Sequence, residues 1–198
     1  MNSSYSVALL SKPLAPSPTI VDQPINTFLR QLAELKEPYK TALARHPGLS
    51  FGATVTHISD AIRKLAAVAT AEEASAPLYR AVRGVLPHGF FNADATGLVS
   101  ATDTAFMSTS RERRTPIRYM GAADNVLWCL QPRSESDSAF HSGADVAMLS
   151  QFAAEREVLF PPCTMLVVLP GGVRECVECD EDGEERQFLS VACEPHFV

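Results

Sequence analysis

The chain reads as an α+β domain in which helices come first and an antiparallel sheet follows, and three features predict this. Apolar residues recur at helical spacing before about Ala76, short apolar runs separated by turn residues follow it, and no helix-length segment alternates with each candidate strand. A parallel sheet needs a long crossover between neighbouring strands, so the lack of such segments selects the antiparallel arrangement. A length of 198 residues suits one domain with a real core and is too short for two large ones.

Residues 1–24 hold Pro13, Pro16, Pro18 and Pro24 among several serines and are expected to form a flexible arm, leaving residues 25–198 as a single domain. Ile25, Phe28, Leu29, Leu32 and Leu35 then follow helical spacing, Pro38 interrupts and Pro47-Gly48 closes the segment. Val55, Ile58, Ile62, Leu65 and Val68 repeat the pattern, so helices are predicted over Ile25 to Arg45 and Thr54 to Ala71. Strands are predicted at Leu78 to Val85, Ala105 to Thr109, Asn125 to Leu130, Glu157 to Phe160, Met165 to Leu169, Val173 to Cys179 and Arg186 to Cys193. Asp182-Gly183 marks a hairpin between the last two.

Hydrophobic residues make up 46% of the chain and charged residues 20%, the balance of a folded protein. A net charge of -6 argues against nucleic acid or an acidic membrane as a partner. The five cysteines, at 129, 163, 176, 179 and 193, are odd in number and irregular in spacing, which favours reduced thiols and a cytoplasmic setting. The N-terminal MNSSYSVALLSKPLAPSPT has no basic segment and only a four-residue apolar stretch, so it does not satisfy a secretory signal, although a secreted chain whose signal had been removed would look the same. No apolar run is long enough to cross a bilayer.

The stretch Gln151-Phe-Ala-Ala-Glu155-Arg-Glu157-Val-Leu-Phe-Pro-Pro162 sets two carboxylates at i and i+2 ahead of an apolar run. In a strand both would share a face and point into one cleft, whereas in a helix they would diverge. Paired carboxylates suit chemistry at an anomeric carbon, where one stabilises an oxocarbenium-like centre and the other handles the incoming group. The same pattern also describes a solvated strand edge. Two further segments accompany it: Leu78-Tyr-Arg80-Ala-Val-Arg83-Gly84, an arginine in an apolar strand, and Ala105-Phe-Met-Ser108-Thr-Ser110, a hydroxyl cluster at a strand end.

In this order and spacing the three segments resemble the signature of the arginine-specific mono-ADP-ribosyltransferases, which use an arginine, a serine and a glutamate in Tyr-Arg-Gly, Ser-Thr-Ser and Glu-x-Glu motifs. The resemblance runs from about Leu78 to Leu166, with Ala81 standing where the family commonly has glycine. It implies two perpendicular antiparallel sheets with an N-terminal helical layer, NAD as donor substrate without a metal, and transfer of ADP-ribose to an arginine presented by a target protein. Hydrolysis of NAD by water, on the same fold, is the alternative reading, and a non-catalytic module keeping the fold is a third.

The resemblance also assigns roles. Arg80 would clamp the pyrophosphate with its planar fork of donors. Ala81 would hold the nicotinamide amide through its backbone, provided its φ is negative. Ser108, with Thr109 beside it, would contact the nicotinamide ribose and orient Glu157, which would stabilise positive charge as nicotinamide departs. Glu155 would bind the acceptor guanidinium and help remove its proton, and Phe152 would contact the target. Arg83 offers a competing register for Arg80. The basic stretch Arg111-Glu-Arg113-Arg114-Thr-Pro-Ile-Arg118 reads as a solvated loop that could close on the donor through Arg111 or Arg114.

Cys176-x-x-Cys179 lacks the second ligand pair of a zinc site, the histidines are scattered, and Asp180-Glu-Asp182-Gly183 has its glycine too early for a calcium loop, so no metal is implied. Two glutamates so close on one strand would not flank a sugar symmetrically, and no Gly-x-Ser-x-Gly elbow is present, which excludes glycosidase and serine-hydrolase readings.

Overall fold

A computed structural model describes residues 22–32, 34–37, 39–46, 51–133 and 142–196. Helices α1 (Asp22–Arg30), α2 (Tyr39–Arg45), α3 (Gly52–Ala66) and α4 (Ala71–Ser75) lead into β1 (Leu78–Arg83). Strands β2 (Ser100–Asp103) and β3 (Met107–Ser110) come next, then a short helix α5 (Arg114–Arg118) and β4 (Asn125–Leu130). The series ends with β5 (Ala144–Asp145), a 3₁₀ turn at Ala153–Glu155, β6 (Glu157–Phe160), β7 (Thr164–Cys179) and β8 (Glu185–His196).

The strands hydrogen-bond in the order β2-β7-β8-β4-β1-β3-β6-β5. They form two wings, of five strands and of three, joined through β1 and β3 at the one paired position Tyr79 with Ser110. Every pairing is antiparallel except β4 with β8, where Trp128 lies opposite Val191 in parallel register. The α+β class therefore holds, with one parallel pair inside an expected antiparallel arrangement. The reason is burial: β4 is the run Asn-Val-Leu-Trp-Cys-Leu, apolar on both faces, as a strand covered on both sides should be.

Val126, Trp128 and Leu130 enter the principal core with Leu78, Val82, Phe160 and Val191. Leu127 turns the other way, to Ile117, Met120 and Phe188. A third cluster is helical: Phe28 and Leu29 of α1 and Ile62 of α3 pack on Phe106 and Ala144, with Leu159 and Val146 beside them. The N-terminal helices thus cover the smaller wing, where β3, β5 and β6 lie.

Differences from the sequence expectation are local. The first expected helix is two, α1 and α2, and α1 begins at Asp22, so residues 22–24, assigned to the arm, are helical; Pro24 sits in the first turn, where its missing N–H costs nothing. Residues 1–21 lie outside the described residues. The two expected strands from Met165 and from Val173 are one strand, β7, with a register shift between Val168 and Val173 at the Pro170-Gly171-Gly172 step. The β7–β8 hairpin forms as predicted: Gly183 takes φ 80° and Asp180 accepts from the amides of Asp182 and Glu184.

Gly143 fixes β5 against β6. A methyl group there would lie 2.7 Å from Cγ1 of Val158 and 2.8 Å from the Phe160 ring, both buried. Gly143→Ala is expected to lower stability by about 1–3 kcal/mol through overpacking. Urea unfolding would check this, and an unchanged midpoint would show that the wing has room to spare.

Candidate active site at the junction of the two wings

Alternation along β1 separates its two arginines. Leu78 and Val82 enter the principal core and Tyr79 and Ala81 the opposite cluster beside α5, so Arg80 leaves one face of the strand and Arg83 the other. Nε and Nη2 of Arg83 both donate to the Tyr119 carbonyl, at 2.9 and 2.7 Å, pinning the end of α5. Nη1 of Arg80 donates to the Ser108 carbonyl at 2.8 Å and Nη2 to Oδ2 of Asp103 at 3.0 Å. Because β1 and β3 part after one pair, this guanidinium supplies a backbone acceptor of β3 with the donor that a longer ladder would have given.

Asp103 binds a second guanidinium, that of Arg30, at 3.4 Å, while Oδ1 takes the Ala105 amide at 3.0 Å. Burial pushes the pKa of Arg80 down and the Asp103 carboxylate opposes it; the side chain stays charged. Sequence reasoning missed both Asp103 and Arg30. The Asp-Thr-Ala turn hinted at a self-bonding aspartate, but nothing local links it to an arginine 73 positions earlier. Ala81, whose φ had to be negative, meets that requirement: it is not among the described non-glycine residues of positive φ, which are Phe51, Asp124, Arg156 and Cys163.

Register aligns Ser108 with Glu157. Ser110 pairs with Glu157 and Ser108 with Leu159, and paired residues of an antiparallel ladder share a face, so the Ser108 and Glu157 side chains leave the same face as diagonal neighbours. Thr109 points the other way, buried, its hydroxyl donating to the Val158 carbonyl at 2.7 Å. Its side chain therefore secures β3 to β6 and points away from the face that Ser108 and Glu157 share. Ser110, which that reading left without a role, donates from Oγ to the Glu155 carbonyl at 2.6 Å and ties the turn before β6 to the end of β3.

Glu155 is not on the strand. It ends the 3₁₀ turn, and Arg156 then adopts a left-handed backbone, φ 47°, before β6 starts at Glu157. The expectation that both glutamates share a strand face is thus corrected: a turn separates them, and Glu155 is placed by its own contacts. Its Oε1 accepts from the Tyr119 hydroxyl at 2.6 Å and lies 3.8 Å from Nη2 of Arg118. The hydrogen bond to Glu155, and then burial, raise the pKa of Tyr119, which keeps the phenol a donor. A cavity of about 320 Å³ opens here, lined by Glu112, Arg114, Thr115, Arg118, Ala154, Glu155 and Glu181.

Phe152 is 36% exposed, and Met148 and Leu149 on the same loop are more exposed still. Sequence reading missed those two. The basic stretch is only partly a loop, since Arg114–Arg118 forms α5. Arg111 is committed to the scaffold, with Nη1 donating to the Glu73 carbonyl at 2.9 Å and Nε to Asp145 at 3.3 Å. Arg113 pairs with Glu178, and Arg114 lines both the cavity beside Glu155 and a larger one of about 590 Å³ under the β7–β8 hairpin. Among the described residues no three potential ligands gather as a metal site, and no helix is long and apolar enough to cross a membrane.

No family model matches the sequence, and no curated protein matches it. Solved structures do. The Vis toxin of Vibrio splendidus, an ADP-ribosyltransferase, superposes with a TM-score of 0.53 at 19% identity over 89% of this chain and 68% of that one. Plx2a, an ADP-ribosyltransferase toxin of Paenibacillus larvae, gives 0.51 at 15% identity over 86% and 79%. The eukaryotic mono-ADP-ribosyltransferase ART2.2 gives 0.52 at 14% identity over 89% and 60%. The chain spans less than two thirds of the length of ART2.2, and 64% and 66% of two Pseudomonas structures that it also matches, an ADP-ribosyltransferase of Pseudomonas syringae and exoenzyme S of Pseudomonas aeruginosa. What these likenesses establish is that the chain has the fold of the ADP-ribosyltransferases.

Proposed function

We propose that this protein transfers ADP-ribose from NAD to an arginine side chain of a target protein, releasing nicotinamide. The observation that carries the reading is the convergence at the wing junction, where the Arg80 guanidinium is clamped on the Ser108 backbone while the Ser108 side chain shares a face with Glu157. The fold supports the ADP-ribosyl transfer itself, since solved structures of this architecture are ADP-ribosyltransferases.

The residues fit an NAD donor. Arg80 and Arg30 bring two guanidiniums to one carboxylate, a cluster of net positive charge suited to a pyrophosphate. The Ser108 hydroxyl is exposed on the face of Glu157, where it can bond the nicotinamide ribose and restrain that carboxylate. Glu157 stabilises the positive charge that develops at the anomeric carbon as nicotinamide leaves, a charge present only near the transition state.

Arginine as acceptor is supported at Glu155. The carboxylate and the Tyr119 ring already hold a guanidinium between them: Arg118 lies 3.8 Å from the carboxylate and its Cζ 5.2 Å from the ring centroid. A partner presenting an arginine would meet the exposed Met148, Leu149 and Phe152 on the loop that leads to this pocket.

The two glutamates separate by mutation. Glu157→Gln keeps the shape and removes the charge, so nicotinamide release should collapse with or without a guanidine acceptor; Glu155→Gln should abolish transfer to agmatine yet leave measurable NAD hydrolysis. Wild-type protein that releases nicotinamide but never modifies a guanidine would be an NAD glycohydrolase. Arg80→Ala is expected to raise the Kd for NAD roughly a hundredfold by loss of a charge-assisted clamp, as read by calorimetry. The same loss in Arg83→Ala, with Arg80→Ala binding normally, would transfer the donor site to the other face of β1.

A further inference from the structure

We propose that Arg118 is itself an acceptor, so that the chain ADP-ribosylates its own guanidinium beside Glu155; this inference rests on the transferase reading above. Arg118 ends α5, and its neighbour Tyr119 is fixed twice, through its carbonyl by Arg83 and through its hydroxyl by Glu155. The backbone that carries Arg118 is therefore held at the pocket by contacts other than its own charge. Its guanidinium lies over the Tyr119 ring and within ion-pair distance of Glu155, on the wall of the cavity, with 45% of the side chain exposed.

The other described arginines nearby are placed differently. Arg111 is nearly buried between Glu73 and Asp145, Arg113 pairs with Glu178, and Arg156 pairs with Glu112 at 2.9 Å. Arg114 lines the cavity without lying within ion-pair distance of Glu155. The group that would help deprotonate an incoming guanidinium thus already faces a resident one.

The transfer balances without a further reactant. The bond between the ribose anomeric carbon and the nicotinamide nitrogen breaks, and its electron pair leaves with the ring as neutral nicotinamide. A new bond forms from an Nη of Arg118 to that carbon. One guanidinium proton passes to the Glu155 carboxylate and on to solvent, and the product is an N-glycosylated, still cationic guanidinium. Until it is modified or displaced, Arg118 competes with any external acceptor for Glu155.

The test is to incubate the full chain with NAD and no added acceptor, then map adducts by peptide mass spectrometry, with a parallel sample containing agmatine. One ADP-ribose per chain on Arg118 is expected, in a fraction independent of protein concentration, and Arg118→Lys should lose the adduct without its moving to Arg114. Agmatine modified while Arg118 stays bare, or an adduct confined to another residue, overturns this inference and leaves the transferase reading standing. Transfer to neither guanidine overturns both. Mapping the wild-type chain makes the answer independent of whether any variant folds.

Discussion

Everything at the site depends on how thinly the two wings are joined. Beyond the Tyr79 and Ser110 pair, β1 and β3 share no further ladder position, and the Arg80 side chain carries the connection onward by bonding the Ser108 carbonyl. A hydrogen bond to a charged group contributes about 1.5–3 kcal/mol, more than one rung of a neutral ladder. The same guanidinium needs a counter-charge because it is largely out of water, and Asp103 supplies it. Holding the wings together and presenting a cation at their junction are therefore a single arrangement.

A second chain of dependence runs to Glu155. Asn125, buried at the start of β4, spends its amide on the Gly121 and Gln187 carbonyls and accepts from the Gly121 amide, which closes the segment between α5 and the sheet. Arg83 fastens the Tyr119 carbonyl from the other side. Tyr119 is thereby set before it meets Glu155, and the carboxylate needs no strand to orient it. Ser110 completes the placement by gripping the Glu155 carbonyl.

Much of this was legible in the sequence, and the rest failed for identifiable reasons. The boundaries of β4 and β6 were read as they stand, because each is a β-rich apolar run bounded by polar or proline residues. β2 escaped because Ser-Ala-Thr-Asp has no apolar alternation, and β5 because two residues carry no period at all. α5 was hidden by its charge and by a central proline, which is tolerated within a first turn. Arg80, Ser108 and Glu157 were found as types in order along the chain, whereas Asp103 and Arg30 enter only through contacts across the fold. The Glu155 geometry was misread because an arginine gives no sign that it will adopt a left-handed backbone.

That backbone at Arg156 bears on how such sites diversify. The middle position of this Glu-x-Glu pair carries a torsion-angle requirement: glycine, asparagine and aspartate enter the left-handed region easily, and valine or isoleucine would resist it. The spacing of the two carboxylates is then a property of the peptide between them. A lineage could exchange the intervening side chain widely, within that conformational filter, while both acids keep their positions. One that lost the filter would carry the same motif in writing and a different pair of directions in space.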